Sequence, residues 1–532
     1  MSLELTVREA VIDLLRRLRM TTIFGNPGST ELGLLRDLPD DFRYVLGLQE
    51  AVAVGMADGF AQATRNAAFV NLHSAAGVGH AMGNLFTAFK NRTPLVVTAG
   101  QQARSILPFD PFLFSAQATE LPKPYVKWSV EPARAQDVPL AIARAYAIAM
   151  QEPRGPVLVS IPADDWDRPA ARVAHRVVSQ QARPDPVLLE RIGAALDASA
   201  RPAFVVGAAV DRGEAWDGVL QLAQRHNARV FAAPMSGRCG FPEDHALFAG
   251  HLPATRERIV ALLAGHDLVF ALGAPAFTYH VEGDGPHLPA GTALCQLIDD
   301  PATAAWTPEG IAVVGSLRLG VADLLARPAP LPREQPAKRM PAPRAEPPAA
   351  GERMSVAYAL QTLAELRDPA SVVVEEAPSA RRHMHQHLPI TRSETFYTMC
   401  SGGLGWSMPA AVGIALAFSS SRPQAKVIAL IGDGSAMYSI QALWSAAQLA
   451  LPITFVILNN RRYAALQEFA PGFGFAPGDP LPGTELPGID FVALARGHGV
   501  EATRVADAAS LRHALAAALS ASRPMLIEIE IA

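Results

Sequence analysis

Asp433 and Asn460 are the residues whose types and spacing point most directly to chemistry. The run Lys426-Val-Ile-Ala-Leu-Ile431 has the composition of a buried strand, and Gly432-Asp433-Gly434-Ser435 follows it without a gap. A helix expected over 439–450 and a second strand over 453–458 then lead to Asn459-Asn460. Strands of open α/β sheets end on a common edge, where ligands bind. Asp433 and Asn460 are therefore expected at neighbouring strand ends, both offering oxygen. Hard cations such as Mg²⁺ take oxygen ligands and keep places for phosphate and water. Gly432 and Gly434 let the backbone approach a diphosphate, and a following helix N-terminus favours negative charge. A lone Gly-Asp-Gly is usually only a turn. The second anchor, one helix and one strand later, makes a metal–diphosphate site the expectation.

Glu50 comes next. It lies between the apolar stretch 42–48 and the apolar helix expected over 51–63. A charge there is costly unless it is paired or functional. On the residues alone, a helix N-terminal glutamate favoured by the dipole is an equal reading. His73, ahead of a glycine-rich loop expected over 74–79, and His280 are of the type that transfers protons near neutral pH. A single histidine is nonetheless more often structural. His383, His385 and His387 alternate and suit zinc by type, but no fourth ligand stands nearby. They are expected to be surface or interface residues.

These side chains need elements to hold them. Short apolar runs alternate with amphipathic stretches, the pattern of helices packed on parallel sheets. Strands are expected at 21–25, 44–48, 68–72 and 94–99, with helices at 50–64 and 80–90. A polar, proline-bearing stretch over 164–186 reads as a linker. A second set of strands is expected at 203–206, 229–232, 268–272 and 292–298, ending in the proline- and alanine-rich connector 327–351. The third set falls at 371–374, 426–431, 453–458 and 525–529. The fold class is thus α/β, with three doubly wound parallel-sheet domains over 1–180, 181–340 and 341–532. A chain of 532 residues suits about three domains, each able to bury a core.

Bulk properties narrow the partners. A formal charge of −4 supplies no basic field for nucleic acid. Three dispersed cysteines, Cys239, Cys295 and Cys400, argue against a disulfide framework or zinc ribbon and for a reducing cytoplasm. Residues 1–19 are charged and helix-like, without the apolar core of a signal peptide. No run of about 18 residues is uniformly apolar, so no membrane partner is expected.

The Gly-Asp-Gly to Asn-Asn segment resembles the thiamin-diphosphate motif, and longer stretches extend the likeness. They are FGNPGST, FRYVLGLQEAVAVGMADGFAQA, NLHSAAGVGHAMGN, PLVVTAGQQ, GAPAFTYH, GGLGWSMPAAVG and LPGIDF. Across nearly its whole length the chain resembles the benzoylformate decarboxylase-like members of the thiamin-diphosphate-dependent 2-keto acid decarboxylase family. The resemblance implies a pyrimidine-binding domain (1–180), a middle domain (181–340) and a diphosphate- and metal-binding domain (341–532). It implies thiamin diphosphate and Mg²⁺, or Ca²⁺ in its place, with Asp433, Asn460 and the main chain of Arg462 as metal ligands. Gly402, Leu404, Gly432, Gly434, Ser435 and Tyr463 would join Asp433 and Asn460 around the cofactor, Leu404 as the wedge that bends it. Glu50 would activate the cofactor, and Ser29, His73 and His280 would serve the substrate. Ser29, Phe112, Leu113, Thr398, Ala465 and Phe469 would line the substrate pocket.

The reaction implied is non-oxidative decarboxylation of an aromatic 2-keto acid to an aldehyde and CO₂. Active centres shared between subunits make a homodimer the minimum, and the likeness extends to a homotetramer. A carboligase, aldehyde lyase or acetolactate synthase-like enzyme on the same cofactor is one alternative; a cofactor-binding protein without catalysis is another. Three departures from the family concern the site. Thr398 stands where an aromatic residue is usual, and Phe112 where leucine is usual, so Phe112 is expected to refill part of the space left at Thr398. Pro378 replaces a hydroxyl residue that touches the cofactor. Arg461-Arg462 replaces a Gly-Thr pair, so their long side chains must point away from the metal.

Overall fold

The computed structural model describes residues 5–532 apart from His175, Pro308, Ala350 and Pro477. The first four residues of the charged N-terminal stretch lie outside the described residues. Three six-stranded sheets follow one another along the chain, and every pairing within them is parallel. A small antiparallel pair, Leu5–Thr6 with Pro169–Ala170, closes the first unit. Among the described residues no helix is long and apolar enough to cross a membrane.

In the first sheet the strands Thr22–Gly25 and Ala68–Leu72 are neighbours, while the chain runs from Thr22–Gly25 outward to Arg43–Leu46 before returning. That reversal opens a crevice at the strand ends, the position where such sheets bind ligands. The third sheet has the same reversal between Val372–Glu376 and Val427–Gly432. The middle sheet reverses between Pro202–Val206 and Leu268–Leu272. All three buried centres read as near-continuous runs of Val, Ile, Leu and Phe, as strands covered on both faces must.

The first and third units share one core. The helix Glu50–Thr64 packs against Ser407–Ser421, twelve of whose residues are buried, so it is apolar all round. Close approach depends on two glycines. A Cβ at Gly59 would lie 2.2 Å from the carbonyl oxygen of Ala410, and one at Gly413 would lie 1.9 Å from that of Met56. Buried Asp58 ties the joint together, accepting from Trp406 Nε1 at 2.8 Å and Thr93 Oγ1 at 2.7 Å.

Two local expectations change. Residues 74–79 are not a loop: the helix Ser74–Asn91 starts immediately after His73. Gly77 packs against Glu50 and Leu72 on its inner side, so tertiary contact outweighs the low helix propensity of the glycines there. The helix expected over 439–450 is shorter, Ala442–Gln448, and a separate helical turn, Asp433–Ala436, precedes it and brings a helical N-terminus directly onto Asp433.

Candidate functional site

The proposed catalytic residues fall into two groups within the chain. The first surrounds the crevice of the N-terminal sheet. Gln49 caps the helix Glu50–Thr64 by accepting from the N–H groups of Ala51 and Val52, so Glu50 takes the first helical position. The residue is 9% exposed, and its carboxylate meets Nδ1 of His80 at 3.1 Å. A Cβ on Gly77 would lie 3.6 Å from both Glu50 Cγ and His73 Cβ, so the backbone there separates the two side chains. His73 caps the strand Ala68–Leu72, and Glu31 Oε2 lies 2.9 Å from its Nδ1. Glu31 is itself fixed by the N–H of Gly28 and the hydroxyl of Thr30. Ser29 is exposed on the same short turn, Ser29–Glu31. His80 and Glu31 were not singled out from sequence. His80 lies within a quoted run and Glu31 directly after one, yet only the fold shows that they touch Glu50 and His73.

The second group lies at the carboxyl edge of the third sheet. Gly432 pairs with Leu458, so Asp433 and Asn460 emerge from adjacent strands as expected. Asn459 turns back to Glu528 at 2.7 Å, leaving Asn460 to face the edge, where its Oδ1 accepts the N–H of Arg462 at 3.1 Å. Asp433 is buried. One carboxylate oxygen accepts the N–H of Gly434 at 2.8 Å, and the other, Oδ2, has no partner. Burial pushes this carboxyl above its ordinary range, against the pull of nearby backbone N–H groups. An orphaned carboxylate oxygen beside an amide oxygen is the donor set of a hard cation.

The surroundings fit a diphosphate as well. Gly434 lies under the ring of Tyr463, where a Cβ would come within 2.3 Å of ring carbon. Ser435 is buried on the same turn. Arg461 takes a left-handed φ of 62°, which explains why glycine suits that position, and its guanidinium reaches out to Glu530 at 3.1 Å. The side chain of Arg461 thus points away from Asp433, as the substitution required. Ala465 and Phe469 follow on the short helix Ala464–Phe469, and His280 of the middle unit meets Phe469 edge-on at 5.1 Å between ring centroids.

Leu404 packs at the rim of the joint core, on a loop with positive φ at Gly402 and Gly405. Its anchor is a residue that sequence reasoning missed. Buried Glu376 ends the strand Val372–Glu376 and accepts the N–H groups of Gly405, Trp406 and Ser407 at 2.5, 2.9 and 2.7 Å. Burial pushes this carboxyl up to about 7 despite the three donors. Replacing Glu376 with alanine orphans all three N–H groups. At roughly 1–3 kcal/mol each before relaxation, a net loss of about 3–5 kcal/mol is expected in urea unfolding.

Thr398 and Phe112 do not form the pocket expected of them within one chain. Thr398 is buried, with its hydroxyl bound to the carbonyl of Glu375 at 2.8 Å and receiving Arg381 Nη2 at 2.9 Å. Phe112 is 87% exposed, so it cannot be filling space beside a buried threonine of its own subunit. Pro378 opens the short turn Pro378–Ala380, and Arg381 follows with its guanidinium 2.8 Å from Glu375. Arg381, Glu375 and Thr398 thus form one polar tie at this strand end.

This tie has a pH signature. Burial opposes the charge on Glu375, but Arg381 and the hydrogen bonds hold its carboxyl below the ordinary 4.5. A depressed folded pKa contributes stability that is full above 4.5 and lost as pH falls through the lowered value. The variant Glu375→Gln is therefore expected to flatten the acid limb of a stability–pH curve below pH 4.5, measured by thermal unfolding.

No hydrogen bond or ion pair among the described residues joins the Glu50 group to the Asp433 group. The loop after Leu95–Gln101, fixed by Gln101 Nε2 to Ser115 O at 2.8 Å, presents Phe109, Phe112 and Leu113 to solvent. On the segment after Asn460, Leu466, Phe469 and Phe473 are likewise exposed.

Comparison with known proteins is consistent along the whole chain. Residues 5–119 match the N-terminal TPP binding domain of thiamine pyrophosphate enzymes, 189–324 the central domain and 379–529 the C-terminal TPP binding domain. Benzoylformate decarboxylase of Pseudomonas aeruginosa is 45% identical over 530 residues, 98% of each chain. Among solved structures, benzoylformate decarboxylase from Polynucleobacter necessarius aligns with a TM-score of 0.95 at 40% identity, covering 99% of this chain and 98% of the other. The thiamine diphosphate-dependent 4-hydroxybenzoylformate decarboxylase of Rhodococcus jostii aligns with a TM-score of 0.94 at 40% identity over 99% of both chains.

Proposed function

The chain belongs to the thiamine pyrophosphate enzymes, in their benzoylformate decarboxylase-like branch, and from that premise we propose that it converts an aromatic 2-keto acid to the aldehyde and CO₂. The observation that carries this reading is the full-length 45% identity to benzoylformate decarboxylase. The chemistry-bearing residues of this chain support it: a buried Glu50 in one half-site and an unpartnered Asp433 oxygen in the other.

Bound thiamin diphosphate would supply the carbon nucleophile that adds to the keto group and the electron sink that lets CO₂ leave. Asp433, Asn460 and the main chain of Arg462 would hold Mg²⁺, with Gly432, Gly434, Ser435 and Tyr463 around the diphosphate. Gly402 and Leu404 would shape the cofactor from the rim of the joint core. Glu50 holds a proton at its carboxylate for exchange with the pyrimidine ring. His73, oriented by Glu31, and His280, braced on Phe469, move protons at the substrate. Ser29 offers its exposed hydroxyl to the substrate carboxylate. Phe112, Leu113, Ala465 and Phe469 give the apolar wall an aryl group needs, with Thr398 behind it.

The half-sites imply their own assembly. The exposed Phe109, Phe112 and Leu113 of one subunit and Leu466, Phe469 and Phe473 of another form two apolar faces of the kind that mark interfaces. On this reading a homodimer is the smallest active unit and pairs Glu50 of one copy with Asp433 of the other; a homotetramer is two such dimers. The units keep the roles of pyrimidine binding (1–180), middle domain (181–340) and diphosphate and metal binding (341–532).

The test supplies the enzyme, loaded with thiamin diphosphate and Mg²⁺, with benzoylformate, 4-hydroxybenzoylformate, pyruvate and branched alkyl 2-keto acids. Aldehyde and CO₂ in equal amounts from the aryl acids are expected. Acyloin from pyruvate as the main product would move the chain to the carboligases. No turnover of any acid would overturn the reading.

A further inference from the structure

Away from both half-sites, a third group of ligating side chains sits where the middle and C-terminal units meet. Glu243 and His251 belong to the middle unit, His251 at the end of the strand Phe248–His251; His385 belongs to the helix Arg381–His387. Oε1 of Glu243 lies 3.0 Å from Nδ1 of His385 and 3.3 Å from Nε2 of His251. All three ligand atoms fall within 4.8 Å of one another, the one such cluster among the described residues. The two imidazoles stack with centroids 3.6 Å apart. The Glu243 side chain is 1% exposed, and its second oxygen is fixed by the N–H of Ile390 at 2.8 Å.

We propose that Glu243, His251 and His385 bind one divalent ion of zinc type, which clamps the middle unit to the C-terminal unit. A tetrahedral zinc with bonds of about 2.0–2.1 Å has ligand-to-ligand edges of about 3.3 Å; His251 stands at that distance from Glu243, and His385, hydrogen-bonded to Glu243 at 3.0 Å, stands slightly inside it. Two imidazoles and one carboxylate form a known zinc donor set, with one position left for water. Water reaches it from a cavity of about 590 Å³ that all three residues line.

The chemistry also selects the ion. One carboxylate is too little charge to hold Mg²⁺ or Ca²⁺, and the fields of Arg339 and Arg367 reach His251 and Glu243 from neighbouring segments. Imidazole nitrogen compensates for zinc, nickel or cobalt, but not for a hard ion. The spacing of His383, His385 and His387 gave no hint of this cluster. Its partners lie 142 and 134 residues away from His385 and meet it only when two units dock.

The experiment uses the full holoenzyme in saturating thiamin diphosphate and excess Mg²⁺, with Co²⁺ titrated as the probe. One Co²⁺ per chain is expected, with the visible absorption of a tetrahedral nitrogen-ligated ion, displaced by one equivalent of Zn²⁺. Asp433→Asn keeps that signal, which separates this site from the cofactor metal. His385→Gln and Glu243→Gln each weaken Co²⁺ binding at least tenfold, while His387→Ala leaves it unchanged. Circular dichroism shows whether each variant is folded. For a variant that is not, the native chain decides: Zn²⁺ raises its thermal midpoint, and a chelator reverses the rise. No cobalt absorption in the wild type, or wild-type binding in a folded His385→Gln, would overturn the clamp and leave the proposed reaction untouched.

Discussion

Glutamine in place of Glu50 lowers kcat by about 10²–10⁴-fold, the range that one positioned proton-transfer group contributes. The substitution keeps the shape of the side chain and its oxygen acceptor facing Nδ1 of His80, which lies 3.1 Å from the carboxylate. It removes the ability to exchange a proton. Stability should move by no more than about 1 kcal/mol, because a glutamate in the first helical turn gains little more than that from the dipole. KM should change much less than kcat, since Glu50 does not lie among the residues assigned to the substrate. A second readout isolates the step: hydrogen–deuterium exchange at the thiazolium carbon, followed by NMR after acid quench, slows in parallel with kcat. A kcat within tenfold of wild type, with normal exchange, would remove Glu50 from the mechanism.

That prediction rests on a residue the sequence marked only by its setting. Glu50 stood out as a charge between two apolar runs, and the helix Glu50–Thr64 begins where those runs suggested. The metal motif was legible for a related reason. Two buried strands, each ending in a polar turn, put Asp433 and Asn460 side by side through parallel register alone. Long central strands such as Ala68–Leu72 and Leu268–Leu272 fall where the apolar runs place them. Short strands were hidden, because Ser129–Val130 and Phe396–Thr398 are too brief to show an alternation.

Contacts between segments were the other hidden layer. Glu31 on His73, His80 on Glu50 and Glu376 under the Leu404 loop all join residues far apart in sequence or on different elements. Thr398 shows the same limit from the opposite side. Its position in the motif pointed to a substrate pocket, and only the fold shows that its hydroxyl is committed to Glu375 and Arg381. Spacing can place a side chain at a strand end. It cannot say which of two faces the side chain will serve once an arginine from the next helix is present.

Exchanging Asp433 for asparagine is expected to pull cofactor binding and fold stability in opposite directions. In the wild type, Oδ2 is buried without a partner and burial raises the carboxyl. An unpaired buried charge costs free energy and persists where a ligand repays it. Asparagine keeps the acceptor for the N–H of Gly434 and removes the charge. The apoprotein variant is therefore expected to be as stable as wild type or more so, by up to about 2 kcal/mol.

Affinity for thiamin diphosphate in Mg²⁺ should fall by more than the 10–100-fold typical of residues that only support a metal ligand. The fall comes from weakened metal binding, so raising Mg²⁺ recovers part of it by mass action. Thermal unfolding with and without cofactor reads both effects in one series: Mg²⁺ and thiamin diphosphate raise the wild-type midpoint sharply and the variant's hardly at all. If the variant bound cofactor within tenfold of wild type, the orphaned oxygen would need another occupant. If its apoprotein were instead several kcal/mol less stable, Asp433 would be a structural residue, and the metal would have to be held from elsewhere on the same edge.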